Sequence, residues 1–513
     1  MKNLKELYRV IGTGKICVDL NTSRGKKIDR LFQYLKNTDD PDDDEAAAHL
    51  YGKGRLKSYP PYKQIKHYLK YELINAATAI TPGEKVSDTD RIGTALFCNR
   101  LLSMGSILMY KGATKIAVEL LEQAFSIADR FNIVVQASES SSELMRLYSQ
   151  NLHDRKKFTY YKEQAEHYQE LRHAIFLVEK ELTTVRNMVQ LNEDNQQIHD
   201  YAQEQSDRYA YLLGKFEDVR IYASYYYMKV TGFFAGYDYE SAAEASLTAI
   251  AFFDGKGLGQ SQQAQVFRST LITSYVQLGE YEKGSALLNE TMKMVSRKSM
   301  NYYKMIEHGM LLSMRTGHYQ AAYDWFARVD QEEMQKTLSE SYAEFFQLYR
   351  GYLYFLGMLD RVDIDPEDKN FRNFRVGKFM NETVNYSKDK RTMNVHLLII
   401  QMLSYTVQEQ YNRAIDRVEA IQKYCGRHLR RNDAFRSNCF LKMLLELPIN
   451  GFHRAAVERK VVKWQKKMEE VPFDIVSQSH EMEIIPYEVL WELVVESLGF
   501  KRINSKGVRA LNK

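Results

Sequence analysis

Two glycine-lysine stretches, Gly12–Lys15 (GTGK) and Gly255–Gln260 (GKGLGQ), are the first places to look for chemistry. Backbone amides in a glycine-rich loop can cradle a phosphate. A phosphate loop, however, puts four residues between its first Gly and the Gly-Lys pair, then a Ser or Thr, with a strand before and a helix after. Neither stretch has that spacing. The plainer reading of the second is a loop in which Gly255 closes one helix and Ser261 caps the next. In IEHG, Glu307 precedes His308, but no second His stands four residues away, so a zinc helix of the H-E-x-x-H kind is not present. His167 and His173 lie on a charged helix and are read as facing solvent. The serines of ASESSS, 137–142, read as a polar lead-in to a helix at Glu143 rather than as nucleophiles, and no G-x-S-x-G occurs. The acids of TDDPDDDEAAAHLYGKG lack the ligand spacing of a calcium loop. They read as a helix start, with Asp40 as cap, Pro41 at the first helical position and Gly52 as a left-handed end. Cys17, Cys98, Cys425 and Cys439 form no C-x-x-C pair and no Cys/His set with zinc spacing. The sequence thus predicts no enzyme, no metal and no cofactor.

What must position any site is a long helical chain. A single core rarely grows past about 250–300 residues, so 513 residues imply several domains or a repeat array. Only 8 Pro and 26 Gly disfavour a turn-dense β protein and suit helices. The 36 Tyr and 24 Phe suit packing between them. A net charge of +5 gives no general pull toward nucleic acid or anionic lipid. The N-terminus lacks the apolar core and cleavage site of a signal peptide. The longest apolar run, VHLLIIQMLSY from Val395, is too short to span a bilayer. With few scattered thiols, these features predict a cytoplasmic protein without a membrane contact.

Residues 1–85 read as a small, mainly helical domain with an extended piece near GKICVDL. In it Pro60 and Pro61 force an extended entry to a helix carrying Ile65, Leu69, Leu73 and Ile74. TPGEKVSD marks the junction with 86–424, where helical hairpins recur with a period of about 40. The turns fall at Gly112, His153, an unmarked place between Leu191 and Asp194, Gly236, Gly279, Gly317 and Gly357, and again near Tyr411. A polar insertion near 361–378 interrupts them. Residues 425–513 hold a basic segment and a closing helix after Pro486, with Val489, Leu490, Leu493, Val494 and Leu498 as its apolar face.

Gly279-Glu280-Tyr281 with small Gly284, Gly317 and Tyr319 with Ala322 and Phe326, and Gly112 with Ala117, Leu121 and Ala124 resemble the tetratricopeptide repeat. The Gly would end the first helix, the Tyr ring would pack back onto it, and the small residue would let two helices approach. The resemblance implies an all-α superhelical solenoid of stacked hairpins, with a small N-terminal helical domain and a C-terminal helical cap. It also implies a concave groove lined by the first helix of each hairpin. Counting along those helices nominates Asn99, Leu102, Ser106, Met109 and Tyr110, then Val266, Ser269, Thr273, Val276 and Gln277, then Lys304, Glu307, Leu311, Met314 and Arg315. Asn99, Lys304, Glu307 and Arg315 are the partner-binding candidates, because a polar residue gains little by burial. The expected function is a non-catalytic scaffold or adaptor for another protein or a peptide. The layout also resembles bacterial regulators in which such a domain senses a peptide and a terminus acts on a target, although residues 1–80 show no helix-turn-helix. The basic region 426–467 is where nucleic acid would touch, against the plainer reading of a solvated helix face with Ala455, Val461, Val462 and Trp464 inward.

Overall fold

The computed structural model describes residues 1–11, 18, 20–78, 91–372, 374, 391–428, 435–471 and 483–499. Outside them lie GTGK and most of the GKICVDL stretch, the junction at 81–88, Cys17, the end of the polar insertion and 429–434 of the basic segment. The described residues are helical, with no strand among them.

The chain divides into two compact units, Met1–His173 and Ala174–Lys513. The first holds α1 (Lys2–Ile11), α2 (Ser23–Asn37), α3 (Asp43–Tyr51), α4 (Pro60–Thr78), α5 (Arg91–Tyr110), α6 (Thr114–Arg130), α7 (Val134–Gln150) and the start of α8 (Arg155–Gln190). The second continues through α9 (Asn195–Tyr209), α10 (Tyr211–Lys215), α11 (Val219–Ala235), α12 (Tyr239–Gly255), α13 (Gln262–Leu278) and α14 (Tyr281–Met292). It then runs through α15 (Met300–Arg315), α16 (Tyr319–Phe326), α17 (Gln331–Thr337), α18 (Glu340–Met358), α19 (Arg391–Val407), α20 (Tyr411–His428), α21 (Phe435–Ile449), α22 (Arg454–Glu469) and α23 (Tyr487–Ser497).

In the first unit, α1 to α4 enclose a small core around Leu31, Leu35, Leu50, Leu69 and Leu73. The cap of α3 is Asp42, not Asp40: its Oδ1 accepts from the backbone N of Asp44 and Glu45, at 2.7 and 3.2 Å. Gly52 does end α3 at positive φ (94°), but its ψ of 163° lies outside the left-handed helical basin. Pro60 and Pro61 form the first turn of α4 rather than an extended lead, a position where the missing N–H costs nothing. The serines of 137–142 are also placed differently. They sit inside α7, where Ser140, Ser141 and Ser142 bond back to the carbonyls of Gln136, Ala137 and Ser138. That local bonding lets small hydroxyls face a helix interface. By length and composition α5 could cross a membrane, a candidate the sequence reading passed over for the shorter run at Val395; here α5 packs on α6 and α7.

Helices pack mainly on their chain neighbours. The turns between them share one device. A left-handed residue follows the helix, and the next N–H reaches five residues back, as in a Schellman motif, or six after His153, where Asp154 N meets Tyr148 O. The left-handed residues include Gly112, His153, Asn192, Tyr237, Gly279, Gly317, Asp360, Glu409 and Gly451, roughly 40 residues apart. The returning bonds include Ala113 N to Leu108 O, Asp238 N to Phe233 O, Glu280 N to Tyr275 O, His318 N to Ser313 O and Gln410 N to Tyr405 O, all 2.8–2.9 Å. Gly236 and Gly357 are not the left-handed residues expected of them; Tyr237 and Asp360 are. A Cβ on Gly236 would strike the His199 ring and one on Gly357 would come 2.6 Å from Ile364 Cδ1, so both serve close approach. Gly257, not Gly255, is the left-handed residue after α12, and Ser261 caps α13 as expected.

The small residues sit where helices touch. Ala117, Ala124 and Ala322 are fully buried, and a Cβ on Gly284 would come 2.6 Å from Leu312 Cδ2. The Tyr281 ring stacks on His318 at the following turn, 3.5 Å between centroids, rather than only on its own hairpin. In the second unit the core extends from Ile272 to Leu498. From Phe346 onward in α18 and Val395 onward in α19, no described side chain is exposed and most are buried, which requires cover on both faces. Part of that cover is α23, which packs on α19 and α22.

Candidate functional site

The site candidates divide between the units. Asn99 stands on α5, exposed, and its Oδ1 accepts from Gln136 Nε2 of α7 at 3.0 Å. Lys304, Glu307 and Arg315 all lie on α15, whose N-cap Ser299 accepts from Tyr302 N. With His308 and Leu311 they recur every three or four residues and so share one face. Met314 and Leu311, nominated with them, are buried in the core, as is Val276 of α13.

Lys304 is exposed. Glu307 and His308 reach water with part of each side chain yet stand deep among protein atoms, so this face is recessed. Burial raises the Glu307 carboxyl, against a hydrogen bond donated by Tyr342 OH and the field of Lys304. Burial and Lys304 together push His308 down to about 4, so its imidazole is neutral near pH 7. Tyr349, fully buried on α18, has no hydrogen-bond partner for its hydroxyl among the described residues and feels the charges of Glu307 and Arg315.

Arg315 is committed to the fold. Its Nη1 donates to Gln277 Oε1 at 3.2 Å, and its Nε and Nη2 donate to the Glu483 carbonyl at 3.0 and 2.6 Å. Gln277 in turn donates to Tyr239 OH at 3.1 Å. The Glu483 side chain is buried and accepts from Arg436 Nε at 2.6 Å and from Tyr487 N at 3.1 Å. Arg436 also holds Glu488 and the carbonyls of Met468 and Val471. The segment leading into α23 is thereby pinned to α13, α15 and α21. Arg361 adds an ion pair to Glu496 at 2.8 Å.

No protein family, curated protein or solved structure matches the chain. Its function must therefore be argued from these contacts. Among the described residues no group of three His, Cys, Asp or Glu is placed to hold a metal ion. The α15 face offers hydrogen-bond donors, acceptors and a free ammonium to a polar chain laid along it. His167 and His173 are exposed on α8, as expected.

In the basic region, Arg459, Lys460, Lys463, Lys466 and Lys467 of α22 are exposed as a solvated face would have them, but Val462 and Arg436 are placed otherwise than expected. Arg436 is buried in ion pairs, and α22 turns Val457, Val461 and Met468 inward while Val462 is exposed. The half-buried Trp464 carries Lys442, Lys463 and Lys467 around its ring, at 4.4–5.4 Å from the centroid. Beside the GKGLGQ loop, Arg268, 2% exposed, donates to Gly259 O and to the Asp254 carboxylate.

Residues that sequence reasoning did not nominate include Tyr342, Tyr349, Glu483 and Arg436. Their role depends on distant pairings, and nothing in local spacing announces them. Gln277, nominated among the groove positions, occupies in α13 the place that Arg315 occupies in α15, and the two are bonded to each other.

Proposed function

We propose that the chain is a non-catalytic scaffold or adaptor that binds a protein or peptide along the first helices of a tetratricopeptide-like stack. The reading rests on one observation. Consecutive hairpins are joined by side-chain hydrogen bonds between residues 35–38 apart, close to one repeat: Gln277 to Tyr239, Arg315 to Gln277, Asn301 to Gln265 and Tyr342 to Glu307, with Arg315 and Gln277 each two residues before its turn glycine. Bonds at that spacing suit hairpins stacked one on the next, and a stack presents its first helices as one continuous face. On α15 that face carries an exposed Lys304 beside recessed Glu307 and His308, a mixed polar surface suited to the backbone and side chains of an extended partner. The cytoplasm is the compartment this reading favours, given so few cysteines.

The test is capture from cell extract by the full chain and by Lys304→Glu. The lysine is exposed, so the variant should melt like the parent. Captured partner should fall about tenfold, the loss of roughly 1.4 kcal/mol expected for reversing one interface charge. Equal capture with an equal melt would remove the site from this face.

A further inference from the structure

A second recess lies in the same unit, between α8, α11 and α13, with a cavity of about 300 Å³. Its rim carries Glu179 and Arg186 from α8 and Gln263 from α13. All three are exposed, and their side chains make no hydrogen bond or ion pair with any described residue. Arg186 instead lies over the Tyr227 ring, 4.7 Å from its centroid. That stacking holds the guanidinium plane and leaves its N–H edge free for a planar anion. The floor is apolar, with Leu182 and Phe267 buried and Ala223 and Val266 half-buried, and Ser224 brings a hydroxyl without a hydrogen-bond partner among the described residues.

Two opposite charges thus stand on one helix with an apolar hollow between them. Glu179 and Arg186 are seven residues apart, a rise of about 10 Å along the axis. An extended chain of three residues spans about the same length. We infer that this recess binds a short peptide with free ends, its ammonium on Glu179, its carboxylate on Arg186 and a central apolar side chain on the floor. Gln263 and Ser224 supply the amide and hydroxyl groups that its backbone needs. A volume of about 300 Å³ is at the small end for ligand pockets and matches a few residues rather than a long segment. The inference deepens the peptide-binding reading given above and rests on it, but it concerns a separate place on the unit.

Calorimetry with the full chain and the tripeptide Ala-Leu-Ala tests it. Saturable binding is expected, weakened about tenfold or more by N-acetylation and likewise by C-amidation, each removing one charged contact. Glu179→Gln should erase the penalty of acetylation alone, and Arg186→Gln that of amidation alone. Ala223→Trp, which fills the hollow, should abolish binding while circular dichroism stays that of the parent. Equal affinity for 8-aminooctanoic acid would overturn the peptide assignment in favour of any zwitterion of that length. No heat at about 5 mM tripeptide, weaker than any useful affinity, would overturn the pocket itself. Because Lys304→Glu reads the α15 face and these variants read the recess, the two proposals fail separately.

Discussion

Asp43 ties α1, α3 and α4 together at one carboxylate. It meets the Met1 amino nitrogen and Lys66 Nζ, both at 2.7 Å, and Tyr62 OH at 2.6 Å. Burial pushes its carboxyl up, but these three donors outweigh burial and hold it well below the usual carboxylate range. A depressed folded value means that the stabilisation is complete above the unfolded pKa of about 4 and is lost as the pH falls further. Asp43→Asn should therefore cost about 1–3 kcal/mol at pH 7 and flatten the acid limb of the melting curve of residues 1–173, followed by hydrogen exchange at each pH. Glu307 behaves in the opposite sense. Its carboxyl is raised by burial, so stability falls as the pH climbs from the ordinary carboxylate range through the folded value. Glu307→Gln keeps a Tyr342 partner without the charge. It should melt higher than the parent at pH 8 and lose that advantage near pH 4. His308, down at about 4, titrates in both proteins and cancels in the comparison. A variant that melts lower than the parent at pH 8 would mean the carboxylate is better paired than its contacts show.

At the scale of the elements, backbone conformation and sequence agree only in part. Gly112, Gly279 and Gly317 were legible as turns because only glycine enters the left-handed region without strain. Asn192, Tyr237, Asp360 and Glu409 enter it too: no glycine stands near Asn192 or Glu409, and Gly236 and Gly357 mark their turns only from one and three residues away. The surrounding helices impose the conformation at a cost of about 1 kcal/mol each. Glu409→Gly should thus stabilise by about 0.5–1 kcal/mol and Gly317→Val destabilise by about 1–2 kcal/mol in urea titrations. Gly309 fails for a different reason: a Cβ would come 2.5 Å from the Trp325 ring. Gly309→Ala should cost about 1–3 kcal/mol through overpacking. Helix existence and hairpin spacing were readable because they follow from periodicity and local punctuation. The cap at Asp42, the interior serines of α7 and the burial of Arg436 were not. Each is decided by a neighbour, whether a loop angle, a facing helix or two distant carboxylates. The same reason hid Arg315, nominated for its charge but held by Glu483.

At the scale of the molecule, the two units should answer separately to damage. Deleting 483–498 removes the carbonyl that Arg315 holds, the partner of Arg436 and the cover over α19. The second unit should then bind a hydrophobic dye and exchange its α18 and α19 amides faster, while α1 to α4 keep their protection. Unchanged exchange in α18 and α19 would show that α23 covers them without supporting them.

The bond from Arg315 to Glu483 joins residues 168 apart in the chain. Hairpins form from near neighbours and can do so while synthesis continues, at roughly 5–20 residues per second. The face of α15 and the side of α19 under α23 cannot be finished until the segment near Glu483 and α23 has been made. For that interval of several seconds or more, the side of α19 on which α23 packs stands uncovered on a nascent chain. Long-range closure of this kind is slow and exposes aggregation-prone surface. The last helix therefore sets when the second unit becomes safe from chaperones and from its own copies, a timing that no hairpin upstream controls.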